Sequence, residues 1–149
     1  EQLLLTVMAA THGEFQYELS RRSRAAASAL ERLDIFLRTY AWFVDAFPLV
    51  RDLHRPGNDL MPRWLKTRQA KDLFAEGVET VRGIIEQGQE EGSFDPQLDS
   101  AAAAFILYNA SVLLLSQDPS PLARRGRPGY RLDLELLLRI VGLGLLRRS

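Results

Sequence analysis

Residues 73–115 read LFAEGVETVRGIIEQGQEEGSFDPQLDSAAAAFILYNASVLLL, and this stretch decides the fold. Its first part places apolar residues three or four positions apart, which predicts an amphipathic helix. That helix is predicted to stop at Gly92, because glycine readily adopts the left-handed conformation that ends a helix. A short turn around Phe94 follows, and the nearly uncharged run after it predicts a second, almost wholly apolar helix.

The rest of the 149-residue chain has the same helical spacing and no strand pattern. We therefore predict an all-α fold of about six helices, with residues 1–149 forming a single domain. Its length is sufficient for one domain with a substantial core. The predicted helices span residues 2–24, 28–47, 48–54, 61–91, 95–117 and 131–147.

Several helix ends have recognisable capping residues. Ser28 and Glu31 form a capping-box pattern at the start of the second helix. Pro48 suits the first turn of a short third helix. Asp95 is predicted to cap the fifth helix, with Pro96 at its first position.

Composition limits the class of protein. Hydrophobic residues make up 46% and charged residues 26%, and 19 basic residues balance 19 acidic ones. These values are typical of a soluble globular protein and do not favour a nucleic-acid-binding surface spread over the chain. The chain has no cysteine, which excludes disulfides, thiolate catalysis and cysteine-based zinc sites and suits a cytoplasmic protein. Asn109 and Ser111 interrupt the longest uncharged stretch, so we expect a buried or interface helix and no membrane span.

The last two predicted helices, residues 101–115 and 132–146, are apolar around most of their circumference. A surface helix of a monomer usually keeps one polar face, so both are expected to be covered in a symmetric homodimer. The alternative is that one of them is simply the central helix of the core. The predicted interface consists of Ala103, Ile106, Ala110, Leu113, Leu114, Leu137, Ile140, Val141 and Gly144.

The order of these segments resembles the C-terminal half of TetR-type transcriptional repressors. The resemblance is carried by the opening EQLL, the turn GSFDP at residues 92–96 and the closing LLLRIVGLGLL at residues 136–146. It implies an effector-binding and dimerisation domain whose last two helices pair with the partner's copies in a four-helix bundle. It also implies a helix-turn-helix domain upstream of Glu1, so this chain holds no DNA-binding residues and would reach operator DNA only through that missing domain.

The resemblance further implies a small apolar or amphipathic effector, bound in a cavity between helices. Aromatic stripes more often form ordinary core, but Tyr40, Tyr108 and Asn109 place polar groups on apolar faces and would need partners when buried. An effector or a backbone carbonyl could supply those partners equally well. The predicted effector-binding residues are Met8, His12, Phe15, Phe36, Tyr40, Phe43, Met61, Trp64, Phe74, Phe105, Tyr108 and Asn109.

Other functions have weaker support. His12 and His54 lack further ligands at a recognisable metal-binding spacing, so we predict no metal and no cofactor. Four arginines at positions 124, 125, 127 and 131 could bind an anion, but the surrounding Gly and Pro residues favour a solvated loop. No nucleophile–base set or phosphate loop is present, so we predict that the protein is not an enzyme. The main alternative is a constitutive helical dimerisation or interaction module without a ligand.

Overall fold

A computed structural model describes residues 2–53 and 59–116 of the chain. These two ranges contain six helices and no strand, which confirms the all-α prediction. The predicted loop at 118–130 with its arginines, the predicted helix at 131–147 and His54 lie outside the described residues. None of the described helices has both the length and the apolar character needed to cross a membrane. The helices are α1 (Gln2–Ser23), α2 (Ala29–Ala46), α3 (Pro48–Leu53), α4 (Leu60–Trp64), α5 (Arg68–Glu90) and α6 (Ser100–Ser116).

The second helix forms the centre of the core. α2 packs against α1 on one side and against α5 and α6 on the other, while α5 and α6 pack extensively on each other. Leu33, Phe36, Leu37 and Val44 of α2 are at most 1% exposed, so one helix buries side chains toward three neighbours. This explains why its apolar arc is wider than that of a surface helix.

The start of α2 is capped as the sequence predicts. The hydroxyl of Ser28 accepts a hydrogen bond from the backbone N–H of Glu31 at 3.2 Å. The carboxylate of Glu31 in turn accepts from the N–H of Ala27 at 2.7 Å. A second carboxylate, that of Glu91 at the end of α5, accepts from the N–H of Ala29 at 3.0 Å. This bond lowers the pKa of Glu91, with a further contribution from the amide of Gln87.

The predicted helix over residues 61–91 is wrong in one respect, because it is divided into α4 and α5. The chain turns after Trp64, and the hydroxyl of Thr67 donates to the Trp64 carbonyl at 2.7 Å. The same hydroxyl accepts from the N–H of Ala70 at 3.2 Å and caps α5. Threonine offers the backbone these local hydrogen bonds in place of a continuous helix, which accounts for the break.

The predicted start of the next helix at Asp95 is also wrong. α6 begins at Ser100, and the cap is Asp99, whose Oδ1 accepts from the N–H groups two and three positions later, each at 3.0 Å. Residues 95–98 instead form a turn that the side chain of Gln89 fixes. Its amide donates to the carbonyls of Asp95 and Leu98 at 2.9 and 2.8 Å.

The end of α5 follows the prediction. Gly92 has a φ of +74°, the left-handed conformation expected of a glycine that ends a helix. The N–H groups of Ser93 and Phe94 both bond to the carbonyl of Gly88 at 2.9 Å, which folds the turn back onto the helix. Phe94 is fully buried, and its ring lies directly against the Cα of Gly88.

Candidate functional site

A cavity of about 210 Å³ lies between α1, α2, α3, α5 and α6, with the end of α4 forming part of its wall. Each of these five helices contributes at least one lining side chain, so the cavity depends on the packing of the whole bundle. Nine of the residues predicted to bind an effector line it, which brings residues from positions 8 to 109 together. They are Met8, His12, Phe15, Tyr40, Phe43, Trp64, Phe74, Tyr108 and Asn109.

Four further residues line the cavity that the sequence analysis did not predict. Val50, Leu65, Leu73 and Val112 are all aliphatic. Val112 follows Tyr108 by one helical turn and therefore shares its face, a signal that the spacing already contained. Leu65 reaches the cavity only because the chain breaks after α4, and the sequence pattern did not predict that break.

Three predicted lining residues are not among those that the structure places around the cavity. Phe36 is fully buried in the core between α2 and its neighbours. Phe105 is 54% exposed and touches Phe74 edge-on from outside, with 6.1 Å between ring centroids. Helical spacing located the correct side of each helix but not the depth of each side chain. Met61 belongs to α4, and its side chain lies outside the described part of the structure.

Several of the aromatic lining residues contact one another edge to face, and others are tilted. Phe15 and Tyr40 are 6.0 Å apart with their planes at 85°, and Phe74 and Tyr108 are 5.1 Å apart at 82°. Phe43 packs against Phe15 at 5.3 Å. Such arrangements bring the electropositive edge of one ring to the electronegative face of the next and stabilise the wall beyond simple burial.

Tyr108 is positioned by a glycine on the facing helix. Its phenol lies over Gly77 of α5, and its oxygen is 2.6 Å from the place that a Cβ at this position would occupy. Burial raises the pKa of the Tyr108 hydroxyl well above its usual value, and the nearby Tyr40 and Glu76 raise it further. The phenol therefore stays neutral at physiological pH, and the negative charge of Glu76 reaches this wall of the cavity.

Some polar groups of the residues around the cavity have a hydrogen-bond partner, and one has none. The Nε2 of His12 lies 3.1 Å from Oε2 of Glu76, which joins α1 to α5, and the amide of Gln16 lies 3.3 Å from the same nitrogen. Asn109 donates to the carbonyl of Phe105 at 2.7 Å, so a backbone carbonyl, one of the two predicted alternatives, supplies its partner. Within the described ranges, the buried indole N–H of Trp64 has no hydrogen-bond partner.

Metal ligands are not clustered in the part of the chain that the structure describes. No group of three or more His, Asp or Glu side chains there could hold a metal ion. His12 lines the cavity, so its ring is a candidate for hydrogen bonding to a ligand.

The predicted dimer interface is described only in part. Ile106 is 67% exposed and adjoins the exposed Phe105, so α6 presents large apolar side chains outward. Ala103 and Ala110 are half-buried, and Ala103 packs against the core. For the remaining predicted interface residues, the structure describes no side-chain position. They are Leu113, Leu114, Leu137, Ile140, Val141 and Gly144.

Comparison with known proteins gives no assignment. No family model matches the chain, and neither the curated proteins nor the solved structures contain a match. The similarity to TetR-type repressors therefore stays a prediction from the sequence.

Replacing Gly77 with alanine is expected to reduce the space in the cavity. The added methyl group would occupy the place of the Tyr108 phenol, which lines the cavity and must move. We expect the affinity for the compact, neutral fluorescent probe 1-naphthylamine to fall by roughly an order of magnitude, as when an apolar site loses about 1–2 kcal/mol of contact. The measurement is a fluorescence titration of both proteins.

The matched control is Gly83→Ala on the same helix. Nothing lies within 4 Å of a Cβ at Gly83, so this variant makes the same chemical change without disturbing the cavity. Equal loss of probe affinity in both variants, or none in either, would contradict the role assigned to Gly77.

Proposed function

We propose that this chain is the ligand-sensing and dimerisation domain of a TetR-type transcriptional repressor. The observation that carries the proposal is the aromatic cavity enclosed by α1, α2, α3, α5 and α6. Pockets for small molecules in helical domains lie between helices and combine apolar walls with a few polar groups. The cavity fits this description, with His12 and Tyr108 among the few polar side chains of an otherwise apolar wall.

The first helix would transmit the signal. Met8, His12 and Phe15 bring three successive turns of α1 to the cavity wall, so a bound molecule would contact this helix directly. If a DNA-binding domain precedes Glu1, a ligand that favours one tilt of α1 shifts the population toward one spacing of two such domains in the dimer. Two helix-turn-helix units bind successive major grooves only at a fixed spacing, so the shift would change operator affinity.

Dimerisation would use the outward face of α6. The exposed Phe105 and Ile106 give this helix a second apolar face in addition to the one buried against α5. Covering such a face in a symmetric interface removes it from water, and the predicted last helix would complete a four-helix bundle with the partner.

The experiment that tests the proposal is mass spectrometry of one sample of the purified chain, first native and then denatured. A native mass of twice that of the chain is expected, together with a small molecule that is released on denaturation or a cavity that takes up the compact neutral probe 1-naphthylamine. A monomer would contradict the dimerisation part. A chain that carries no ligand and takes up no probe would contradict the sensing part.

A constitutive dimerisation module is the second candidate, and the size of the cavity favours it. A volume of about 210 Å³ is below the ~300–1,000 Å³ typical of pockets for drug-sized ligands. A module of this kind would form the same dimer through α6 but would bind no probe. The proposed sensor therefore requires a compact ligand.

A further inference from the structure

We propose that the cavity selects a compact organic cation, a quaternary ammonium compound, over neutral molecules of the same shape and over carboxylates. This inference rests on the proposed function, in which the cavity holds a ligand. It adds the charge and the chemical class of that ligand.

Aromatic rings form much of the wall. Each aromatic ring carries partial negative charge on its faces, and cations within about 6 Å of a ring centre are attracted to it. Neighbouring rings stand at steep angles, as Phe74 and Tyr108 do at 82°, so they can surround a small guest from several directions. The aromatic lining residues are Phe15, Tyr40, Phe43, Trp64, Phe74 and Tyr108.

A carboxylate contacts the lining of the cavity. It is that of Glu76, which is half-exposed and bonded to His12 of the lining. No lysine or arginine is among the described residues that line the cavity. The field of Glu76 already opposes the ionisation of Tyr108 on the opposite helix. A field that disfavours a phenolate disfavours a carboxylate in the same place and favours a cation.

A quaternary ammonium group also suits an apolar wall, because it has no N–H group and its burial among aromatic rings leaves no donor of the ligand unpaired. The cavity volume of about 210 Å³ lies below the ~300–1,000 Å³ typical of drug-sized ligands, which suits a compact guest.

The test compares three probes by isothermal titration calorimetry with the full chain. Acetylcholine supplies the cation, and 3,3-dimethylbutyl acetate has the same shape without the charge. Hexanoate is the anion of similar size. We expect acetylcholine to bind on the order of tenfold more tightly than its neutral counterpart, the ratio typical of a desolvated cation–aromatic contact, and hexanoate to bind most weakly.

A pair of variants tests the source of the preference. Glu76→Gln keeps a hydrogen-bond acceptor for His12 and removes only the charge, so the tenfold ratio is expected to fall to about threefold. Glu90→Gln removes the same charge from an exposed position about 21 Å further along α5 and should leave the ratio unchanged. Neither side chain is buried, so both variants are expected to fold.

Each outcome separates this inference from the proposed function. Equal binding of acetylcholine and 3,3-dimethylbutyl acetate would overturn the cation preference and leave a ligand-binding cavity in place. Tightest binding of hexanoate would likewise overturn it. Binding of none of the three probes, nor of 1-naphthylamine, would overturn both.

Discussion

The Gly88→Ala variant is expected to unfold with a free energy about 2 kcal/mol lower than that of the natural chain. The ring of Phe94 lies against Gly88, and its Cγ is 2.6 Å from the place of an added Cβ. Phe94 is fully buried within the core cluster, so the ring has no free space into which it can move. Forcing a methyl group into such a contact typically costs ~1–3 kcal/mol, which exceeds the gain of about 1 kcal/mol from replacing glycine within a helix.

Gly83→Ala on the same helix is the control. A Cβ at Gly83 meets nothing within 4 Å, so here the helix propensity of alanine acts alone and should raise the stability by about 1 kcal/mol. Urea denaturation followed by far-ultraviolet circular dichroism gives both values. If Gly88→Ala proves as stable as the natural chain, the ring of Phe94 does not pack directly against Gly88 of α5.

The Ile106→Glu variant is expected to dissociate the proposed dimer. The side chain is 67% exposed in the single chain, so the folded monomer should tolerate glutamate. In a symmetric apolar interface the same change buries two unpaired carboxylates, and each costs several kcal/mol. The dissociation constant should therefore rise on the order of 100-fold or more.

Sedimentation velocity over a dilution series measures this change. Tyr17→Glu is the matched control, because Tyr17 is a similarly exposed apolar side chain, at 60%, on α1 rather than α6. Unchanged dimerisation of Ile106→Glu would exclude the outward face of α6 from the interface. A loss of dimer in both variants would point to a general effect of charge.

Local signals were sufficient where a helix end depends on neighbouring residues alone. Ser28 starts α2 and Gly92 ends α5 as predicted, because each acts through hydrogen bonds or backbone conformations within a few positions. The helical spacing also located the core side of α2, which buries Leu33 and Leu37 one turn apart.

Tertiary contacts decided the features that the sequence did not predict. By residue type, Asp95 and Asp99 could both cap the start of α6. Asp99 is the cap because the side chain of Gln89, which belongs to α5, holds residues 95–98 in a turn. The break before Thr67 similarly depends on one hydroxyl that bonds in both directions.

The candidate site, like the helix ends, could be predicted from the sequence only in part. Periodicity separates inward from outward faces for most of the predicted residues, so nine of them surround one cavity. Phe105 is the exception, because it is exposed. Periodicity also does not distinguish Phe36, which fills the core, from Tyr40 one turn later, which lines the cavity. That difference depends on how the neighbouring helices pack around α2, which the spacing within one helix does not contain.

The carboxylate of Glu91 couples two helix ends that are 62 positions apart in the chain. We expect the N–H of Ala29 to be protected from hydrogen exchange with solvent only while the end of α5 remains in place. Local opening at either end removes the partner of the other, so the two segments should exchange their amide protons as one cooperative unit. A bundle whose neighbouring helices share a cap in this way opens by pairs of helices, rather than by fraying of each helix alone.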